Sequence, residues 1–281
     1  MQKLAFSLLL CCFTLQSYAK VEPLKGFHYA SEQAPKGNEW ESPENLALNK
    51  EQPHAYFFSF QDKASARKVL PENSAYWQSL NGDWKFNWVP NPEERPKDFY
   101  KTEFDVSGWD NIPVPSSWNI YGIQKDGTQK YGTPIYVNQP VIFQHKVAVD
   151  DWRGGVMRTP PSNWTTFKAR REFTIPEDWD GKEIFINFDG VDSFFYLWIN
   201  GQYVGFSKNS RNTASFNITK YLVKGTNVVA VEVYRSSDGS FLEAQDMFRL
   251  PGIYRTVALQ AVPQLHVRDL VVTPDLDATY T

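Results

Sequence analysis

From residue 50 onward, short apolar–polar alternations separated by turn residues recur along the chain, and this pattern restricts it to an all-β fold. Asp83-Trp84-Lys85-Phe86-Asn87-Trp88 alternates strictly and puts Trp84, Phe86 and Trp88 on one face. Thr166 to Phe173 reads as a strand with Phe167 and Ala169 inward. Glu183 to Phe188 and Phe194 to Ile199 follow. Asn200-Gly201 is a tight-turn dipeptide, because both residues tolerate positive φ, and it joins Ile199 to a strand from Gln202. Asn227 to Tyr234 alternates with Val229, Val231 and Val233 on one side, and Ile253 to Leu259 reads as a further strand. Asp150 to Asn163 reads as a loop, broken by Gly154-Gly155 and Pro160-Pro161. No segment keeps a helical period for more than about two turns. The expected architecture is a β-sandwich of jelly-roll type.

Composition narrows the function classes. Aromatic residues make up 16% of the 281, with ten Trp. Rings pack well on a pleated surface and also make flat platforms for sugars. Formal net charge is -3 and there is no run of Lys or Arg, which disfavours nucleic acid as a partner. No apolar run reaches the roughly 20 residues that a bilayer span needs.

The first nineteen residues read as a secretory signal. Lys3 begins it, Leu4 to Leu15 is apolar, and Ser17-Tyr18-Ala19 places small residues where a signal peptidase cuts, after Ala19. The expected destination is the bacterial periplasm or the exterior. Cys11 and Cys12 both lie in that segment, so the mature chain carries no disulfide. Residues 20–44 read as an extended lead-in, 45–262 as the sandwich, and 263–281 as the start of a second β-domain. Leu265, Val267 and Leu270-Val271-Val272 begin a strand that cannot bury its face alone.

Catalytic motifs are absent. There is no Gly-x-Ser-x-Gly elbow, His-Glu-x-x-His pair or phosphate-binding glycine loop, and the four His are scattered. Ser65-Ala66-Arg67-Lys68 matches Ser-x-x-Lys by chance. The acidic pairs Glu93-Glu94, Asp150-Asp151 and Glu177-Asp178 sit in polar turns and read as solvated surface. Two segments look functional instead. In Pro113 to Pro140, prolines stiffen a long loop that presents Trp118, Tyr136 and Asn138. In Ser236 to Arg249, at one end of the sandwich, Asp246 can accept bonds from vicinal hydroxyls or ligate a hard cation through oxygen. Equally, it can pair with Arg249 and hold the loop together.

Several runs together resemble the N-terminal sugar-binding domain of family two glycoside hydrolases. They are Asp189-Gly190-Val191-Asp192-Ser193, Leu197-Trp198-Ile199-Asn200-Gly201, Val204-Gly205 and Ser210-Arg211. Gln245-Asp246-Met247-Phe248-Arg249 with Gly252-Ile253-Tyr254-Arg255 resembles the bacterial β-galactosidase branch in particular. So do Pro115-Ser116-Ser117-Trp118, Pro134-Ile135-Tyr136-Val137-Asn138-Gln139-Pro140, Asn49 to Ala55 and Leu80 to Phe86. The likeness runs from Trp40 to Arg255.

That resemblance implies a retaining β-galactosidase, with a galactoside as substrate. The jelly roll would be followed by an immunoglobulin-like domain and then a (β/α)₈ barrel carrying both catalytic glutamates. It implies that Asn138 and Asp246 border the galactose pocket, that Asp246 helps hold sodium, and that magnesium belongs to the later, catalytic region, which has no counterpart in this chain. Trp118, Tyr136 and Arg249 are expected to contact sugar or to support the loops. Assembly into a homo-oligomer is a family habit. Ala244 stands where the family commonly has an acid. The competing readings are a free-standing carbohydrate-binding module and a relative acting on β-glucuronides or β-mannosides. The run from Gln245 to Arg249 disfavours the last of these.

Overall fold

Alternation in sequence becomes two facing sheets in the computed structural model, which describes residues 35–37, 39–90, 94–136, 144–146, 156–158, 166–243 and 247–279. With strands numbered along the chain, the larger sheet has seven. From edge to edge they are β1 (Ala47–Leu48), β12 (Gln202–Ser207), β11 (Phe194–Ile199), β14 (Thr226–Tyr234), β8 (Thr166–Thr174), β3 (Gly82–Val89) and β4 (Asp110–Val114). The smaller sheet is β13 (Ala214–Asn217), β9 (Glu183–Phe188), β17 (Val257–Val262) and β2 (Trp77–Ser79). Three two-stranded ribbons complete the described set: β10 (Val191–Asp192) with β16 (Gly252–Ile253), β5 (Ile135–Tyr136) with β15 (Phe248–Arg249), and β6 (Gln144–Lys146) with β7 (Val156–Arg158). Neighbours are antiparallel throughout. The expected all-β sandwich is what the chain forms. Its described α-helices are single turns: α1 (Lys63–Ala66), α2 (Trp118–Tyr121) and α3 (Gly239–Leu242).

The core lies between the sheets. Trp84, Phe86, Ala169, Phe195, Leu197, Val229, Val231 and Val233 come from the large sheet, and they meet Ile184, Ile186, Phe188, Phe216, Val257 and Leu259 of the small one. Side chains of a strand alternate between its faces, so one run of alternate residues suffices to fill this layer. Each fully buried large side chain contributes about 1.5–3 kcal/mol. The β11–β12 turn at Asn200-Gly201 has φ of 50° and 79°, the backbone that those two residues permit.

The large sheet is also covered on its other side. Phe194, Tyr196, Trp198, Phe206 and Tyr234 form a second buried cluster with Phe99, against which Trp40, Tyr100, Phe104 and Trp109 pack. The lead-in therefore joins the fold before residue 45. Glu39 accepts bonds from Tyr196 Oη at 2.5 Å and from the amides of Lys36 and Gly37. Trp40 stacks on Tyr234 at 5.7 Å.

Two local expectations change, and one chance motif takes a local role. The run from Ile253 to Leu259 is split: β16 and β17 belong to different sheets, and Tyr254 to Thr256 cross between them, bonded to Gly190 and Asp189. The segment read as a loop from Asp150 to Asn163 holds the three-residue strand β7, confined between its glycines and prolines. Ser65 is a capping partner: its amide and hydroxyl both donate to Asp62 at the start of α1. Past Val262, residues 263–279 pair with no strand, and Leu265, Val267, Val271 and Val272 are exposed. The segment is tied back along residues 51–55 by Arg268 to Glu51 at 2.7 Å and by Ala55 N to Asp269 at 2.9 Å.

Candidate functional site

The two segments singled out by sequence meet at one end of the sandwich. Their join is β5–β15, where Tyr136 faces Phe248 and Ile135 faces Arg249. A second seam lies just behind it. Ser116 N donates to Ile253 O at 2.8 Å, and Trp118 N to Pro251 O at 3.2 Å. Gly252 makes this approach feasible, because a Cβ there would stand 2.4 Å from Ser116 O, and its φ is +144°.

Trp118 is fully buried in the inner core, so its ring supports the loop from within rather than offering a face outward. Asn119 next to it donates to Tyr131 O at 2.6 Å and Gly132 O at 3.0 Å, closing the loop on itself. Tyr136 is exposed and meets Phe248 edge to face at 5.1 Å. Phe248, Met247 and Leu242 are exposed alongside, giving this rim an aromatic and apolar border. Arg249 is half-buried, and neither of its terminal nitrogens has a hydrogen-bond partner among the described residues. Asn138 and Asp246 lie outside the described residues, so the choice between a sugar-facing Asp246 and an Asp246–Arg249 pair is not decided by geometry.

Beneath the rim lies a charged cluster that sequence reasoning did not pick out. Asp192, on β10, is buried, and burial pushes its carboxyl up to about 6 against the opposing pull of Arg211, Arg249 and Arg235. Arg211 Nη2 is 3.4 Å from Asp192 Oδ2 and 3.2 Å from Met247 Sδ. Arg235, at the end of β14, donates to Thr133 O at 2.7 Å, and burial brings its guanidinium down to about 10. Glu243 is committed to Ser210, accepting from its amide at 2.8 Å and its hydroxyl at 2.5 Å. The available signal was an Asp close before the apolar run Phe194 to Ile199, where a buried carboxylate needs a partner.

Among the described residues, this end offers the exposed rings of Tyr136 and Phe248 beside the half-buried guanidinium of Arg249, groups suited to a ligand with both an apolar face and polar substituents. Its two neighbouring described carboxyls, Asp192 and Glu243, are each engaged, with Arg211 and with Ser210. No three His, Cys, Asp or Glu side chains converge there or elsewhere among the described residues to hold a metal. No described helix is long and apolar enough to cross a membrane.

A β-sandwich that gathers a polar, aromatic-edged rim at one end of its strands belongs to the class of ligand-binding all-β domains. Residues 77–263 match the family described as glycosyl hydrolases family 2, sugar binding domain, and the chain belongs to that family. It is 38% identical over 259 residues to a β-galactosidase of Priestia megaterium, covering 91% of this chain and 24% of that protein. It is 39% identical over 242 residues to one of Vibrio vulnificus, covering 86% and 21%. The chain thus spans about a quarter or less of the length of the curated relatives it matches. Among solved structures it is similar to a Bacteroides uniformis β-glucuronidase at 27% identity and TM-score 0.46, covering 66% of this chain and 18% of that one. It is also similar to an uncultured Clostridium sp. β-glucuronidase at 17% identity and TM-score 0.47, covering 75% and 31%.

Proposed function

We propose that this chain is the N-terminal, sugar-binding part of a retaining β-galactosidase. In this reading it lends Asn138 and Asp246 to a galactose pocket whose bond-breaking glutamates lie on a later barrel. The observation that carries the reading is the β5–β15 register. Tyr136 faces Phe248; Asn138 is two residues beyond the one and Asp246 two residues before the other. The β5–β15 pairing therefore brings side by side the two strands that lie two residues from each of them in sequence. The identity to β-galactosidases over most of this chain supports the same substrate class.

The roles follow from the groups. A carboxylate accepts from two hydroxyls of a sugar at once, and an amide both donates and accepts, so the pair can orient a ring without cleaving it. Cleavage with retention needs two carboxyl groups about 5–5.5 Å apart across the scissile bond. In this reading both come from the barrel, as do the magnesium ligands. Sodium is proposed at Asp246, where a cation would balance the carboxylate's charge. Residues 1–19 are proposed as an export signal, and residues 263–281 as the lead into an immunoglobulin-like domain.

The test is kinetic. The full-length protein should hydrolyse a chromogenic β-galactoside and leave the β-glucuronide untouched, while the 281-residue chain alone turns over neither. Asp246→Ala in the full-length protein should raise KM for the galactoside and abolish its sodium dependence. Hydrolysis of the glucuronide instead, or unchanged kinetics in Asp246→Ala, would overturn the assignment.

A further inference from the structure

The rim rests on buried charge, and that charge has one centre. Arg211 pairs with Asp192 at 3.4 Å, and the charges of Arg235 and Arg249 act on the same carboxyl from farther off. Each of these arginines is also attached to a segment that builds the rim. Arg211 reaches Met247, the residue after Asp246. Arg235 holds Thr133 O, two residues before β5. Arg249 is itself half of the β5–β15 pair, facing Ile135. Asp192 is the acidic group whose field acts on both Arg235 and Arg249. Glu243 also faces Asp192, but its two oxygens are taken up by Ser210.

We propose that Asp192 is a positioning residue for the sugar-facing rim: its buried carboxylate is the shared counter-charge of Arg211, Arg235 and Arg249, and through them it holds the β5–β15 pair and its flanking loops in register. The inference deepens the galactoside reading and rests on it for its kinetic consequence, though not for its structural one. Without the carboxylate, three partly buried guanidinium groups repel one another and seek water. Arg235 then releases Thr133, Arg211 releases Met247, and the rim loosens without any loss of a group that touches sugar.

The groups facing Asp192 are Arg211, Arg249 and Arg235 on the favourable side and Glu243 on the unfavourable side, with the Tyr254 ring lying 5.3 Å from the Arg211 guanidinium. Burial raises the carboxyl to about 6. The arginines keep their charge, so acidification through that value removes the carboxylate charge that faces them. Rim order should therefore fall as pH drops from 7 to 5.

Two measurements on the full-length protein test this. Asp192→Asn should raise KM for a galactoside about tenfold with kcat changed by less than about twofold. The wild type's rise in KM below pH 6 should be absent from the variant. Hydrogen exchange, corrected for intrinsic rate, should quicken at Ile135, Tyr136, Phe248 and Arg249 in Asp192→Asn, and in the wild type at pH 5, while β9 and β17 keep their protection. A wild-type KM in a galactoside-hydrolysing Asp192→Asn protein would overturn the proposal, as would equal exchange at those four amides. If the variant does not fold, the wild-type exchange at pH 5 and 7 decides alone, and equal protection at the two values refutes the proposal. An inactive wild-type enzyme whose exchange behaves as described would sink only the galactoside reading.

Discussion

Glu232 is the centre of a second buried charge network, on the outer face of the large sheet, and its arrangement predicts an asymmetric double-mutant cycle. Lys168 of β8 faces Glu232 of β14 across the ladder, with Nζ 2.6 Å from Oε2. Both side chains are nearly inaccessible, at 1% and 6%. Nζ also lies 3.8 Å from the centre of the Phe99 ring, which closes the site from outside. The other carboxylate oxygen of Glu232 takes Arg95 Nε at 2.9 Å and Tyr234 Oη at 2.8 Å. Burial lowers the Lys168 ammonium below its usual range, with Glu232 the chief opposing influence.

The two partners are therefore not equivalent. Glu232→Gln strands a buried ammonium without an anion, which costs about 3–5 kcal/mol. Lys168→Met leaves the carboxylate paired to Arg95 and Tyr234 and removes one charge-assisted bond, about 1.5–3 kcal/mol. The methionine is of similar length and stays under Phe99. Once Lys168 is gone, Glu232→Gln removes only the partly solvated pairing to Arg95, about 1 kcal/mol. The coupling energy should then be about 2–4 kcal/mol. Urea unfolding of the 281-residue chain at pH 7, followed by Trp fluorescence, measures all four corners. If Glu232→Gln costs the same with and without Lys168, the ammonium does not depend on Glu232 and the network reasoning fails.

Two further outcomes test the packing that brings the functional segments together. Trp118→Ala should cost about 3–5 kcal/mol, because it empties a core site, and should lower the thermal midpoint well before any binding defect can be isolated; a variant that melts like the wild type but binds sugar poorly would place the ring outward. Gly252→Ala should destabilise by more than about 2 kcal/mol in the same urea assay, since its Cβ meets Ser116 O and its φ of +144° suits glycine alone; a neutral substitution would mean that the seam between residues 116 and 252 can shift freely.

Strand positions and inward faces were legible because they are written locally. Alternation in Trp84-Lys85-Phe86-Asn87-Trp88 and in Val229 to Val233 sorts side chains onto two faces whatever lies opposite, and both sets point inward as read. Asn200-Gly201 is likewise a local matter of positive φ. The two rim segments stood out because prolines and turn residues interrupt the alternation there, and the β5–β15 pairing brings them together. What stayed hidden depends on partners far along the chain. The ring of Phe99 covers Lys168, and Trp40 stacks on Tyr234; neither pairing has a local signal. Asp192 carried no mark in the sequence beyond its place in the run Asp189 to Ser193; β10 buries it beside Arg211 and within the field of Arg235 and Arg249.

The amino-acid order alone determined which residues extend, which face each turns inward and where the chain must turn, since these follow from a two-residue period and from backbone sterics. The tertiary structure decided what covers the outer face of the large sheet and which charges share a buried site. Burial and Coulomb energy depend on distance in space, and distance in space is set only when the two sheets close on each other.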